Sequence, residues 1–262
     1  MQQRPRFPAQ LPEARNRANA AKPMAGPAPS PVASRPGAVA AVAQPQGLGL
    51  DSPALRSRML QKLVAQGVSD PQVMAAMAAV ERHRFVDTAL VNQAYEDTSL
   101  PIGFGQTISK PNVVARMLEL LRQAAPGRLG RVLEIGTGCG YQAAVLSHLA
   151  GEVYSIERIR GLHERARDNL RVLRLPNVHL LFGDGMVGFA KGAPYAAIIA
   201  AAGGDAIPQA WIDQLAVGGR IVAPISAGGA QQALVVIDKT AQGISQSVLE
   251  PVQFVPLKSG LA

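Results

Sequence analysis

The residues best placed to do chemistry lie in the run Val132-Leu133-Glu134-Ile135-Gly136-Thr137-Gly138-Cys139-Gly140-Tyr141, together with Glu157, twenty-one residues after Gly136. An apolar run that ends in alternate glycines reads as a buried strand, a tight turn free of side chains and the start of a helix. A ligand can approach the main chain there, near the positive end of the helix. Glu157 closes a second strand-like run, Glu152 to Ile156, where a carboxylate can accept hydrogen bonds from both hydroxyls of a ribose. The pattern points to a nucleoside-bearing ligand. Its spacing is G-x-G-x-G, not the G-x-G-x-x-G that cradles a pyrophosphate, and Glu134 would repel a pyrophosphate while suiting a cation. A nicotinamide oxidoreductase is therefore disfavoured.

Two further groups could contribute. Asp184 stands between Gly183 and Gly185 after a third apolar run. It can accept a hydrogen bond from an adenine amino group, or it can satisfy its own backbone as a turn aspartate. Upstream, Leu100-Pro101-Ile102-Gly103-Phe104-Gly105-Gln106-Thr107-Ile108-Ser109-Lys110-Pro111 reads as a loop leading into a helix. Ser109 can cap that helix, and a hydroxyl beside unpaired N–H groups can also cradle a carboxylate. A nucleophilic serine does not fit, because no G-x-S-x-G elbow is present and neither His83 nor His148 has suitable partners. The single cysteine, Cys139, excludes an internal disulfide or a cysteine metal cluster and reads as a small residue in a crowded turn. His83, His148, His163 and His179 show no ligand spacing, so no metal is expected.

The elements that must position these groups can be read from periodicity. Asp51-Ser52-Pro53 and Asp70-Pro71 open two helices, the first with Leu55, Met59, Leu60, Leu63 and Val64 on its apolar face. The second presents Val73, Met74, Met77 and Val80, and a third helix runs from Pro111 to about Leu121. Strands are expected near 131–135, 152–157, 178–182, 196–201 and 219–224 with helices between, and 232–238 and 247–257 close the sheet. This alternation is an α/β fold, a doubly wound, mostly parallel, Rossmann-like sheet with an N-terminal helical cap. The segment Leu215 to Val222 reads as a helix end, a two-glycine turn and a strand.

Composition bounds the partners. The net charge is +8, but residues 1–50 carry +5 of it and hold nine of the twenty prolines within residues 1–47. That extension should be disordered, as a tether or the product of an upstream start, and the domain proper is expected over 51–262, divided near 123. Only 4% of the residues are aromatic, which argues against a nucleic-acid partner. No apolar run approaches a membrane span and no leader is evident, so a soluble cytoplasmic monomer is expected.

The chain resembles the protein-L-isoaspartate O-methyltransferases. The glycine turn resembles motif I of S-adenosylmethionine-dependent methyltransferases as a class. The family likeness rests on Val80-Glu81-Arg82-His83-Arg84-Phe85-Val86-Asp87, Tyr95-Glu96-Asp97, the 100–109 segment, Ser155-Ile156-Glu157-Arg158, Gly183-Asp184-Gly185 and Phe254-Val255-Pro256-Leu257, over roughly 54–262. The resemblance implies methyl transfer from S-adenosyl-L-methionine, giving S-adenosyl-L-homocysteine, to the α-carboxylate of L-isoaspartyl residues in damaged proteins or peptides. It implies Ser109 as the active-site serine and Ile108 with Ser109 against the substrate. Thr107, Glu134, Gly136, Thr137, Gly138, Gly140, Glu157, Asp184 and Gly185 fall at cofactor positions. Ala196 stands where relatives typically have Asp. A small-molecule or RNA methyltransferase would share the glycine turn without needing the 95–111 segment, and a noncatalytic binding protein would not need the intact turn with Glu157 and Asp184.

Overall fold

The computed structural model describes residues 53–125, 127–226 and 231–262. The proline-rich extension and the caps expected at Asp51 and Ser52 lie outside these residues. Helix α1 (Pro53–Ala65) buries Met59 and Leu63 but leaves Val64 exposed. Helix α2 (Pro71–Ala79) begins as expected, with Asp70 accepting from the Gln72 and Val73 N–H groups. The segment expected to be a loop contains a small antiparallel hairpin, β1 (Leu100–Gly103) with β2 (Gln106–Ile108). Its turn is tight enough that Gly103, Phe104 and Gly105 all take positive φ. Helix α3 (Pro111–Arg122) follows.

The remainder is β3 (Leu129–Ile135), α4 (Tyr141–Leu149), β4 (Ala150–Glu157), α5 (Arg160–Arg171), β5 (Val178–Phe182), β6 (Tyr195–Ala200), α6 (Gln209–Gln214), β7 (Leu215–Ser226), β8 (Gln232–Thr240) and β9 (Gly243–Val252). Two boundaries differ from the sequence reading. Strand β7 begins at Leu215, because Tyr195 pairs with Leu215 before a register shift absorbs the two glycines. Strand β9 begins at Gly243 and stops at Val252, and residues 253–257 leave the sheet edge for the ends of β6 and β7, where Gly203 N–H donates to the Val255 carbonyl and Leu257 N–H to the Gly203 carbonyl.

The sheet order is β5-β4-β3-β6-β7-β8-β9, parallel through β7 and antiparallel beyond it. Successive residues of a strand face opposite layers. Val132, Ala197 and Ile199 join the core beneath α2, α3 and α4, whereas Leu133, Ile135 and Ile198 join the opposite core with Tyr195 and Trp211. The chain leaves β3 toward β4 and β5, then returns to the other side of β3 as β6. That reversal opens a crevice between the carboxyl ends of β3 and β6, the ligand site of doubly wound sheets.

Candidate active site

A cavity of about 780 Å³ occupies this crevice. The glycine turn forms its floor, with Gly136, Gly138 and Gly140 at φ +89°, +57° and +91°. The values near +90° suit glycine alone, and +57° lies in the left-handed region that favours it. A Cβ on Gly138 would come within 3.2 Å of Ile102 Cδ1, so the turn and the hairpin meet with no room between them. The turn is pinned by the Gly136 and Thr137 N–H groups, which both donate to the Ile156 carbonyl, and by Ala201 N–H donating to the Ile135 carbonyl.

The expected cofactor residues fall into two sets. Thr107, Gly136, Thr137, Gly138, Glu157 and Gly185 line the cavity, as do Ile108 and Ser109. Glu157 Oε2 accepts from Gly138 N–H at 2.8 Å and Oε1 from Ile159 N–H at 2.9 Å. A carboxylate oxygen has about two acceptor directions, so each keeps one for a ribose hydroxyl.

Glu134, Gly140 and Asp184 do not line it. Gly140 begins α4, and its missing side chain admits Leu170 and Ala166 of α5. Asp184 follows the turn-aspartate reading with one oxygen, accepting from Met186 N–H. Its other oxygen accepts from Gly260 N–H at 2.6 Å, so it secures the 258–262 segment, whose Lys258 and Ala262 wall the cavity. Glu134 is fully buried in β3. Its Oε2 accepts from the Ser155 hydroxyl at 2.5 Å, and Ser155 contacts the Thr137 hydroxyl at 2.6 Å. The Glu134 Oε1 and the Gln142 amide nitrogen close no hydrogen bond. Burial pushes the Glu134 carboxyl up to about 8, against the pull of Ser155 and Gln142. The carboxyl expected to attract a cation thus lies beneath the turn, where burial favours its neutral form, and it braces Thr137 through Ser155.

Ser109 precedes α3 but does not cap it; Lys110 takes the N-cap position and no side chain bonds there. The Ser109 carbonyl accepts from Arg82 Nη2 at 2.7 Å, while its hydroxyl has no partner among the described residues, and the residue lines the cavity. Arg82 is completely buried. Its Nε donates to the Ala94 carbonyl at 2.9 Å, and its guanidinium lies 4.8 Å from the centre of the Tyr141 ring, at the start of α4. This side chain joins the serine segment to the cofactor turn. The hairpin is tied to α5 by Arg165, which donates to the Ile102 carbonyl and to Asp87, both at 2.8 Å.

Sequence reasoning missed Gln142, Arg158, Arg160 and Phe104, all of which line the cavity. Gln142 is the second residue of the helix that the glycines open, a position that could have marked it. Nothing local marks Phe104, whose ring occupies the space that a side chain on Gly161 would need. Cys139 is buried, and desolvation raises its thiol pKa, so it is inert. Ala196 lies at the amino end of β6, away from the cavity, so its replacement of the usual Asp touches no ligand position. Among the described residues no three His, Cys, Asp or Glu side chains cluster to hold a metal, and no helix is long and apolar enough to cross a membrane.

Among Rossmann-like folds, this glycine spacing, with the carboxylate at the end of the next strand, is that of the S-adenosylmethionine-dependent methyltransferase class. Residues 54–262 match the family described as protein-L-isoaspartate(D-aspartate) O-methyltransferase. The chain belongs to that family. It is 62% identical over 219 residues to the protein-L-isoaspartate O-methyltransferase of Methylibium petroleiphilum, covering 82% of this chain and 81% of the relative. It is 61% identical over 217 residues to that of Leptothrix cholodnii, covering 82% and 77%. A solved protein-L-isoaspartate O-methyltransferase aligns at TM-score 0.71 with 30% identity, over 79% of this chain and 67% of that one. A Plasmodium falciparum structure described as such an enzyme in complex with S-adenosyl-L-homocysteine aligns at 0.68 with 25% identity, over 78% and 98%.

Proposed function

We propose that this chain transfers the methyl group of S-adenosylmethionine to the free α-carboxylate of L-isoaspartyl residues in damaged proteins, initiating their repair, and that it does so as a cytoplasmic monomer. The observation that carries this is the place of Ser109, which lines both the cofactor cavity and a second one and whose hydroxyl has no partner among the described residues. The glycine cradle fits the cofactor: Gly136, Thr137 and Gly138 would hold its amino-acid portion, Glu157 its ribose, and Gly185 the rim of its base. When bound, it supplies a methyl group made electrophilic by a sulfonium.

The protein then needs no general base. A carboxylate with pKa near 4 is already ionised at neutral pH. What the chain must supply is alignment, which is worth up to ~7–11 kcal/mol when a bimolecular step becomes effectively intramolecular. Ser109 donates its hydroxyl proton in a hydrogen bond to one carboxylate oxygen and leaves the other for attack. Arg82 fixes the Ser109 backbone, and Ile102, Ile108, Val114 and Leu162 keep the surroundings apolar. In the methyl ester that leaves the site, the following backbone amide nitrogen attacks the ester carbonyl and expels methanol, and water can open the resulting succinimide to an ordinary aspartyl linkage.

The test is Ser109→Ala, assayed with an isoaspartyl peptide and its ordinary aspartyl twin. A hydrogen bond to a charged group is worth about 1.5–3 kcal/mol, so kcat should fall roughly 10- to 150-fold. Calorimetric affinity for S-adenosylhomocysteine should stay near that of the wild type. Equal loss of both, or equal methylation of the two peptides by the wild type, refutes the assignment.

A further inference from the structure

A second cavity, of about 850 Å³, opens on the other side of the serine segment and shares Thr107, Ser109 and Val255 with the first. Its volume lies within the ~300–1,000 Å³ of sites that enclose a ligand. The two cavities therefore share the residue proposed to orient the reacting carboxylate. A polypeptide whose isoaspartyl carboxylate reaches Ser109 has its neighbouring residues at the mouth of this second space.

The charged groups around it are not all paired. Arg116 is matched, with Nε donating to Glu250 Oε1 at 2.7 Å and Nη1 lying 3.3 Å from Glu119 Oε2. Glu119 is in turn held by the Ser69 and Asp70 N–H groups and the Ser69 hydroxyl. Lys110 also lines the cavity, half-buried, and its ammonium has no hydrogen bond or ion pair among the described residues. Beyond Arg116 and Glu250, the polar lining consists of amides and hydroxyls, which suit a peptide backbone but carry no charge. Lys110 is thus the one charged group of the described lining without a hydrogen-bond or ion-pair partner.

Building on the activity proposed above, we infer that this cavity is a subsite for the polypeptide beside the isoaspartyl residue, and that Lys110 makes it select an acidic neighbour over a basic one. The juxtaposition is direct, because Lys110 follows Ser109 in the chain. One peptide therefore meets the orienting hydroxyl and the selecting ammonium in adjacent positions. A half-buried pair of this kind discriminates modestly, by roughly threefold to tenfold, and less as salt screens it.

The experiment uses isoaspartyl hexapeptides with Glu, Gln or Lys at one neighbouring position, scanned through both flanks. The readouts are kcat/KM for methylation and, in parallel, calorimetric peptide affinity with S-adenosylhomocysteine present. The expected result is a Glu-over-Lys preference confined to one flank, inverted in Lys110→Glu, reduced to about unity in Lys110→Met, and weakened at 0.5 M salt. A wild-type ratio near one on both flanks overturns the inference. So does a preference that survives Lys110→Glu and Lys110→Met. Failure of the activity itself would show separately, as no methylation of any peptide, while the binding ratios would still decide the role of Lys110.

Discussion

Glu134 should make the protein less stable as pH rises through neutrality, and replacing it with Gln should remove that slope. The carboxyl is wholly buried in the middle of a parallel sheet, and burial raises its pKa from an ordinary 4.5 to about 8. The folded chain therefore keeps a proton that the unfolded chain has lost between these values, so stability falls with pH across that window. Below pH 4.5 both states are protonated and nothing is lost; above pH 8 both are ionised and the full penalty applies. At about 1.4 kcal/mol per pH unit, the penalty reaches roughly 3 kcal/mol at pH 7 and approaches about 5 kcal/mol above pH 8, both order-of-magnitude figures. Glu134→Gln keeps the shape and retains an acceptor for the Ser155 hydroxyl. Its stability relative to the wild type should rise by about 3 kcal/mol between pH 5 and pH 8, measured by urea unfolding in a series of buffers. A flat difference over that range would mean that the folded chain holds Glu134 as an anion, and the account of a neutral brace beneath Thr137 would be wrong.

Two other perturbations test the supports of the site. Arg82→Met leaves the Ala94 and Ser109 carbonyls buried without their donor; at ~1–3 kcal/mol for each lost partner, urea unfolding should show a destabilisation of about 2–5 kcal/mol. Residual turnover should fall further than cofactor affinity, and a variant with normal kcat would show that the Ser109 segment holds itself. Removing Ser259 to Ala262 takes away the bonds of Gly260 to Asp184 and of Ala262 to Arg158 and Arg160. Stopped-flow release of S-adenosylhomocysteine should then quicken by about tenfold, the equivalent of one to two ordinary hydrogen bonds. An unchanged rate would mean that this segment covers the cavity wall without retaining anything behind it.

How much of this was legible in the sequence depends on whether the cause is local. The parallel strands are apolar runs because both faces are covered, so Val132 to Ile135 and Ala197 to Ala200 could be placed by pattern alone. The glycine turn is equally local, since positive φ at three alternate positions favours glycine at each. The hairpin at 100–108 was not legible, because three- and four-residue strands are too short to show a period. Nor was the early start of β7, which depends on Tyr195 pairing with Leu215 across the sheet.

The same distinction separates the site residues that kept their expected places from those that did not. Gly136, Gly138 and Glu157 are set by the strand ends that carry them. Asp184, by contrast, is decided by Gly260, seventy-six residues away, and the protonation of Glu134 is decided by layers packed on both faces of the sheet. Arg82 gives the strongest case. As a sequence it is one basic residue among three in Arg82-His83-Arg84, the usual sign of a solvated turn, yet Arg82 is fully enclosed while the Arg84 side chain is half exposed. Only the fold tells them apart, by placing two unpaired carbonyls and the face of Tyr141 around one of the two guanidinium groups. A motif can therefore nominate the groups that meet ligand, but the residues that hold those groups still are chosen by contacts between distant segments.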